Sequence, residues 1–154
     1  MKEFLLYLWQ LPQNILGLFC IMFYKPIIKY YYEDDKGHKF VVYGQRNTGK
    51  SFSLGKYLFC FCNKKGIIRE ETLYHEYGHT FQSRRLGWLY LLIVGAYSGI
   101  RCWLYAGDGY YDHYPEKQAD KYGNVKYKEN STIRYVEKRT LTKLRTSYFH
   151  NDGS

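Results

Sequence analysis

Two short runs in this chain combine residue types that can do chemistry. His75 to His79 reads HEYGH, an HExxH pattern. On a helix its two imidazoles fall on one face, where they can share a divalent metal while Glu76 stands beside them as a general base. Gly44 to Ser51 reads GQRNTGKS, a GxxxxGKS pattern whose backbone N–H groups and Lys50 can cradle phosphates. Either pattern arises by chance in about one chain in a hundred of this length, so flanking sequence has to decide between them. Cys60 and Cys62, two residues apart, would share one face of a strand and supply half of a thiolate metal site. Buried free thiols are the simpler reading of these and of Cys20 and Cys102.

A phosphate loop needs a helix directly after its lysine, because the phosphates sit on that helix's N-terminus. Phe52 to Cys62 (FSLGKYLFCFC) is instead rich in aromatic residues around Gly55, a strand-like composition, and no strand ending in a magnesium-binding Asp follows convincingly. A Gly- and Asn-rich hairpin turn accounts for the same residues. Around HEYGH the signals agree with one another. Arg69 to Arg85 (REETLYHEYGHTFQSRR) has Glu70 and Glu71 near its start, Arg84 and Arg85 near its end, and Gly87 as a stop. Leu73, Tyr77 and Phe81 can face the core from this helix, and Gly78 leaves room for another backbone to pack close.

Two imidazoles are too few for a catalytic zinc site, which takes three protein ligands and keeps a fourth position open. Downstream, Tyr114 to Asp120 reads YPEKQAD. Pro115 suits the first turn of a helix that carries Glu116 and Asp120 on one face, which makes Glu116 the third ligand. Asp120, one turn later, can accept a hydrogen bond from a ligand imidazole, and Ala119 permits close helix packing.

HEYGH followed by EKQAD resembles the HExxH plus ExxAD pair of gluzincin-type metallopeptidases, including membrane-bound endopeptidases of the CAAX-processing and heat-shock kind with a cytoplasmic zinc site. The wider run from His75 to Ile100 is similar to small bacterial HExxH proteins in which Gln82, Ser83 and Gly87 recur after the motif. The likeness covers residues 70 to 123, and the chain lacks the several spans of the large membrane endopeptidases. The resemblance implies zinc on His75, His79 and Glu116, with Glu76 taking a proton from water and passing it to the leaving amine. A further donor to the developing oxyanion is expected from Tyr110, Tyr111, His113 or Tyr114, all close in sequence to Glu116. The expected function is a membrane-associated, zinc-dependent metallopeptidase acting on a peptide or protein substrate. The alternatives are a metal-binding but inactive membrane or interaction protein, and a nucleotide binder through Gly44 to Ser51.

These residues need elements to hold them, and 154 residues allow one domain of ordinary size. Apolar residues at 45% and charged residues at 24% are a globular balance, which excludes wholesale disorder and rod-like folds. The formal charge of +9 favours anionic partners. No recognition-helix, RNP-like or zinc-finger pattern accompanies it, so specific nucleic-acid binding is not expected and an anionic membrane surface is. The 19 tyrosines and 3 tryptophans suit a surface that is half apolar and half wet.

Phe4 to Tyr24 is about long enough to span a bilayer, but Gln10, Pro12, Gln13 and Asn14 interrupt its centre. Two short amphipathic helices around a bend at the proline fit better. Trp88 to Ile100 is too short to span, and basic residues flank both stretches, which suits attachment to the cytoplasmic leaflet. The expected fold is therefore α+β. A small β-hairpin or sheet, with the hairpin from Lys39 to Cys62, packs on the HExxH helix and on a second ligand-bearing helix starting near Pro115, with apolar membrane-associating helices beside them. Residues 1–30 form the first apolar segment, 31–125 the metallopeptidase-like core with an apolar segment at 88–106, and 126–154 a basic, solvated or lipid-touching tail.

Overall fold

The runs of Tyr and Val between residues 28 and 45 alternate their side chains across a pleated surface, and they form the centre of a five-stranded sheet. The computed structural model describes residues 2–46, 50–97, 100, 114–129, 131 and 133–148. Helices α1 (Lys2–Trp9) and α2 (Leu11–Tyr24) lead into strands β1 (Ile28–Asp34), β2 (Lys39–Gln45), β3 (Phe52–Leu54) and β4 (Tyr57–Phe61). Helix α3 (Glu70–Leu86) follows, continued by a 3-10 turn (Gly87–Leu89) and a π-helical turn (Leu91–Gly95). Helix α4 (Glu116–Tyr122), β5 (Val125–Tyr127), β6 (Arg134–Val136) and β7 (Leu141–Tyr148) complete the described elements.

The sheet order is β3-β4-β2-β1-β7, with β5 and β6 forming a separate ribbon. Phe40, Val42, Leu58 and Cys60 face α3 and pack on Leu73, Tyr74 and Tyr77, whereas Tyr43, Tyr57 and Phe59 face α2. This two-residue alternation gives the sheet helices on both faces. Complete burial of Leu58 and Phe59 stabilises it by about 1.5–3 kcal/mol each.

The α+β class is as expected, and the expected small hairpin or sheet is a sheet of five strands. The Lys39–Cys62 segment is not one hairpin, because β2 and β4 run parallel and β3 is the strand that turns back onto β4. The eleven residues between β2 and β4 have room for that extra edge strand. β2 makes its own hairpin with β1, closed by Asp34, whose carboxylate accepts the N–H groups of Lys36 and His38. The basic stretch 126–154 is likewise more than a solvated tail, since β7 pairs antiparallel with β1 from Ile28 to Asp34. An edge strand needs no apolar periodicity when its partner supplies the burial. Lys143 in β7 places its Nζ 4.1 Å from the ring centroid of Tyr30 on β1.

Among the described residues no single helix is long and apolar enough to cross a membrane. α1 and α2 form a pair bent by 84°. The bend falls at Gln10, and Pro12 occupies the first turn of α2, where its missing N–H is of no consequence. The three amides at the bend are all buried. Gln10 Nε2 donates to Ser83 Oγ at 2.6 Å, Gln13 Nε2 donates to the carbonyl of Gly87, and Asn14 Oδ1 accepts the N–H of Lys56 at 3.1 Å. The large apolar side chains of α2 point the other way, with Met22 and Phe23 exposed by 71% and 78%.

Candidate metal centre

Helix α3 forms where the acidic first turn and basic last turn place it, and its residues from Leu73 to Thr80 are buried on every side. The sheet takes Leu73, Tyr74 and Tyr77, and α4 takes the opposite face. Close approach of the two helices depends on two glycines. A Cβ on Gly78 would lie 1.9 Å from the Ala119 carbonyl oxygen, and one on Gly123 would lie 2.0 Å from the carbonyl oxygen of Tyr74. Backbone therefore meets backbone at the middle of α4 and at its C-terminal cap, which sets the helix against the HExxH face.

That contact brings His75, His79 and Glu116 together, each buried, with one ligand atom from each lying within 4.8 Å of the others. Glu116 Oε2 is 3.0 Å from His75 Nε2 and 3.2 Å from His79 Nε2. Ligand atoms at the corners of a tetrahedron with bonds of about 2.0–2.1 Å stand about 3.3 Å apart, so these separations fit one small cation.

The hydrogen bonds behind the imidazoles determine which nitrogens face that centre. Gln82 Nε2 donates to the Pro115 carbonyl at 2.8 Å and to Gln118 Oε1 at 3.0 Å, which leaves Gln82 Oε1 as the atom 2.7 Å from His79 Nδ1. His79 must then carry its proton on Nδ1, and in the neutral ring Nε2 presents a lone pair to the centre. Asp120 Oδ1 does the same for His75, 2.7 Å from its Nδ1. The Arg134 guanidinium also bonds Asp120 Oδ1 and so approaches His75 Nδ1 to 3.0 Å. A carboxylate only accepts, so the Nδ1 proton belongs to the His75–Asp120 bond. With both rings neutral, two imidazole lone pairs and a carboxylate thus converge, an arrangement that a metal cation satisfies; a protonated ring instead donates its Nε2–H to Glu116 Oε2.

The electrostatics follow from burial. Burial alone would raise the Glu116 pKa, but hydrogen bonds and charge from both histidines hold the carboxyl well below its ordinary range. Burial would lower that of His75, yet Asp120 and Glu116 outweigh it and raise it. For Glu76 burial outweighs the neighbouring charges. Burial pushes its carboxyl up to about 8, with His79 pulling it down and the Glu116 charge pushing it further up. Its Oε2 is fully enclosed and has no hydrogen-bond partner among the described residues. An unpaired buried carboxylate oxygen is costly to a fold.

No family model matches the chain, and no curated protein or solved structure is significantly similar to it. The gluzincin resemblance accordingly stands on the residues of α3 and α4 alone. Those residues make a buried His/His/Glu group that can hold a metal ion.

The remaining sequence candidates separate in the fold. Cys60 and Cys62 are buried free thiols outside this group, and burial raises both pKa values. Strand β3, not a helix, follows Lys50, and the Ser51 hydroxyl accepts the N–H of Phe61 at 2.9 Å. Asn47, Thr48 and Gly49 of that motif lie outside the described residues, as do Tyr110, Tyr111, His113 and Cys102. Tyr114 is described and is 45% exposed. Two residues near the centre were not singled out in the sequence. Arg134 sat in a stretch of similar cations, with nothing local to distinguish it from Lys126 or Lys138. Tyr90 sat inside an apolar run, yet its buried hydroxyl lies 3.5 Å from Ser53 Oγ, and burial raises its pKa, with the charges of Glu76 and Glu116 adding to the effect.

Proposed function

We propose that the protein is a zinc-dependent metallopeptidase that hydrolyses peptide bonds in a peptide or protein substrate while attached to an anionic membrane surface, its site on the cytoplasmic side. The observation that carries this reading is the Glu76 carboxyl oxygen Oε2, buried without a hydrogen-bond partner among the described residues, on the same helix turn as two of three converging ligand atoms. A purely structural metal site needs its ligands and their hydrogen-bond partners; it has no use for a further carboxylate without one. Two imidazoles and one carboxylate are also the ligand count that leaves a position open.

When bound, zinc would supply Lewis acidity toward a water and a carbonyl oxygen. Glu76 would accept the proton of the attacking water at Oε2 and return it to the departing amine nitrogen. Its raised pKa suits the second of these transfers, and a cation among His75, His79 and Glu116 would lower it enough for the first. Asp120 and Gln82 keep the Nδ1 protons in place and so hold the imidazoles in the ligating tautomer. The Tyr90 hydroxyl joins Tyr110, Tyr111, His113 and Tyr114 as a candidate donor for a developing negative charge, since the charges of Glu76 and Glu116 act on it. Strand β3 is a sheet edge next to α3, and an edge can take an extended peptide by backbone pairing.

Membrane attachment draws support from the inverted polarity of α1 and α2, whose amides face the protein and whose Phe4, Leu16, Phe19 and Phe23 face outward. Trp88 and Leu92 extend the same apolar character beyond α3, and Lys25, Lys29, Arg84 and Arg85 flank it with positive charge. Elemental analysis of the purified protein combined with proteolysis assays on Glu76→Gln tests the catalytic part. Retention after carbonate extraction tests the membrane part, and quantitative recovery in the soluble fraction without treatment would sink it.

One observation favours a second reading, an inactive metal-binding protein. His75, Glu76, His79 and Glu116 are each 6% exposed or less, which restricts access to the centre. Stoichiometric metal without any proteolysis that depends on Glu76 would put that reading ahead.

A further inference from the structure

On the other side of α3 from the metal ligands' helix α4, a second feature stands out. A cavity of about 460 Å³ opens between α1, the outer part of the β1–β2 hairpin and the β3–β4 turn. That volume is within the range of about 300–1,000 Å³ typical of small-molecule sites. Leu6, Phe40, Val41 and Leu144 give it an apolar floor, and Tyr7 and Tyr32 add aromatic faces. Three permanent cations, Lys39, Lys56 and Arg84, also line it, against a single carboxylate, Glu3.

These cations differ in how they are held. Arg84 bonds the buried Asp34 carboxylate at 3.3 Å and Thr80 at 2.9 Å, so much of its charge is already answered. Lys56 is held by aromatic faces instead, its Nζ 4.6 Å from the Tyr7 ring centroid and 5.2 Å from that of Tyr57. Neither Lys56 nor Lys39 forms an ion pair among the described residues. Ring contacts position an ammonium without neutralising it. An apolar floor beside two ammonium groups, one near Glu3 and one opposite Glu33 but neither in a direct ion pair among the described residues, matches a molecule with a hydrocarbon chain and an anionic head.

The surroundings favour the same chemistry. Phe4 lines the cavity and is also 65% exposed, joining its mouth to the apolar outer face that α1 presents with Leu5 and Leu8.

We propose that this cavity binds an anionic amphiphile, its chain against Leu6, Phe40 and Val41 and its phosphate or carboxylate head on Lys39 and Lys56. The inference is independent of the metal centre, because no metal ligand lines the cavity. The ligand can come from the bilayer, as an acidic phospholipid, or from solution, as a free amphiphile of the same chemistry.

The full-length protein, titrated with octyl phosphate and with the neutral octyl glucoside below their micelle concentrations, tests it. Octyl phosphate should bind at least about tenfold more tightly. Lys39→Gln, on the exposed rim where folding is not at risk, should weaken octyl phosphate about fivefold, and Lys39→Gln with Lys56→Gln about 25-fold, at roughly fivefold per cation. Metal content should be unchanged in both variants. If the double variant also loses flotation with phosphatidylglycerol vesicles, the head group comes from a bilayer lipid; if only octyl phosphate binding falls, it comes from a free amphiphile. Equal affinity for the two octyl probes, or wild-type affinity for octyl phosphate in both variants, would overturn the proposal.

Discussion

Replacing Gly78 by alanine adds one methyl group at the place where α3 and α4 touch. The new Cβ would stand 1.9 Å from the Ala119 carbonyl oxygen, 2.6 Å from its carbon and 2.9 Å from its Cα. These are backbone atoms that cannot rotate away. Real Cβ contacts do not fall under 3.0 Å, so the helices must separate by about 1 Å or more at this point. Ala119 lies one turn from Glu116 and next to Asp120, hence both carboxylates move with it. Metal sites tolerate ligand displacements of about 0.2 Å, so the shift is several times what the centre can absorb. Overpacking of this kind costs about 1–3 kcal/mol, within the stability of an ordinary domain, so the chain should still fold. Gly78→Ala should therefore keep its far-ultraviolet circular dichroism and lose metal affinity by at least about a hundredfold, read by competition with a chromophoric chelator. Gly95→Ala is the control, since its Cβ would meet Leu91 Cδ2 at an ordinary 3.6 Å. Wild-type metal affinity in folded Gly78→Ala would refute the idea that this backbone contact sets the ligand geometry.

Glu76→Gln should bind metal stoichiometrically while proteolysis falls by at least about a hundredfold, because the variant keeps the volume and loses the proton acceptor. Gln82→Ala should lower metal affinity about 10- to 100-fold with a small change in Tm, since it releases His79 Nδ1 and leaves the core intact. Without metal, the folded Glu76 carboxyl holds a proton up to about pH 8 that the unfolded chain gives up near 4.5. The native state then binds more protons than the unfolded one, so stability of the metal-free protein should decline from about pH 4.5 to 8, by about 1.4 kcal/mol per unit at most. Denaturant melts across that range should show the slope in wild type and a flatter profile in Glu76→Gln; equal slopes would argue against a buried, unpaired Glu76.

The parts of the centre that lie on one helix were legible in the sequence, because helical spacing fixes them without tertiary information. His75, Glu76 and His79 needed only α3, and Gly78 announced a close neighbour by lacking a side chain. Glu116 and Asp120 were legible at one remove, through a proline start and a four-residue spacing. Arg134 was not, because a cation on a short strand has no periodicity of its own, and its role depends on where β6 falls relative to α4. The sheet failed to show itself for the same reason. β7 reads LTKLRTSY, polar enough to pass for a tail, and only its pairing with the tyrosines of β1 makes it a strand. The parallel pairing of β2 with β4 is also nonlocal, so no turn residue in the sequence points to it.

The amides that interrupt the first apolar run show how one local conflict can be the trace of a distant requirement. Gln10, Gln13 and Asn14 are unfavourable in a membrane span, and the bend resolves that by turning them inward. Inward is where α3 ends, and a helix end leaves carbonyls without partners. Trp9 Nε1 donates to the Arg84 carbonyl at 2.9 Å, Gln13 donates to that of Gly87, and Trp88 Nε1 returns a bond to the Leu8 carbonyl at 3.1 Å. Ser83, which receives Gln10, is one turn beyond His79 and adjacent to Gln82, the residue that holds the His79 tautomer. The bent apolar pair and the metal-binding face are thus two ends of one hydrogen-bonded unit.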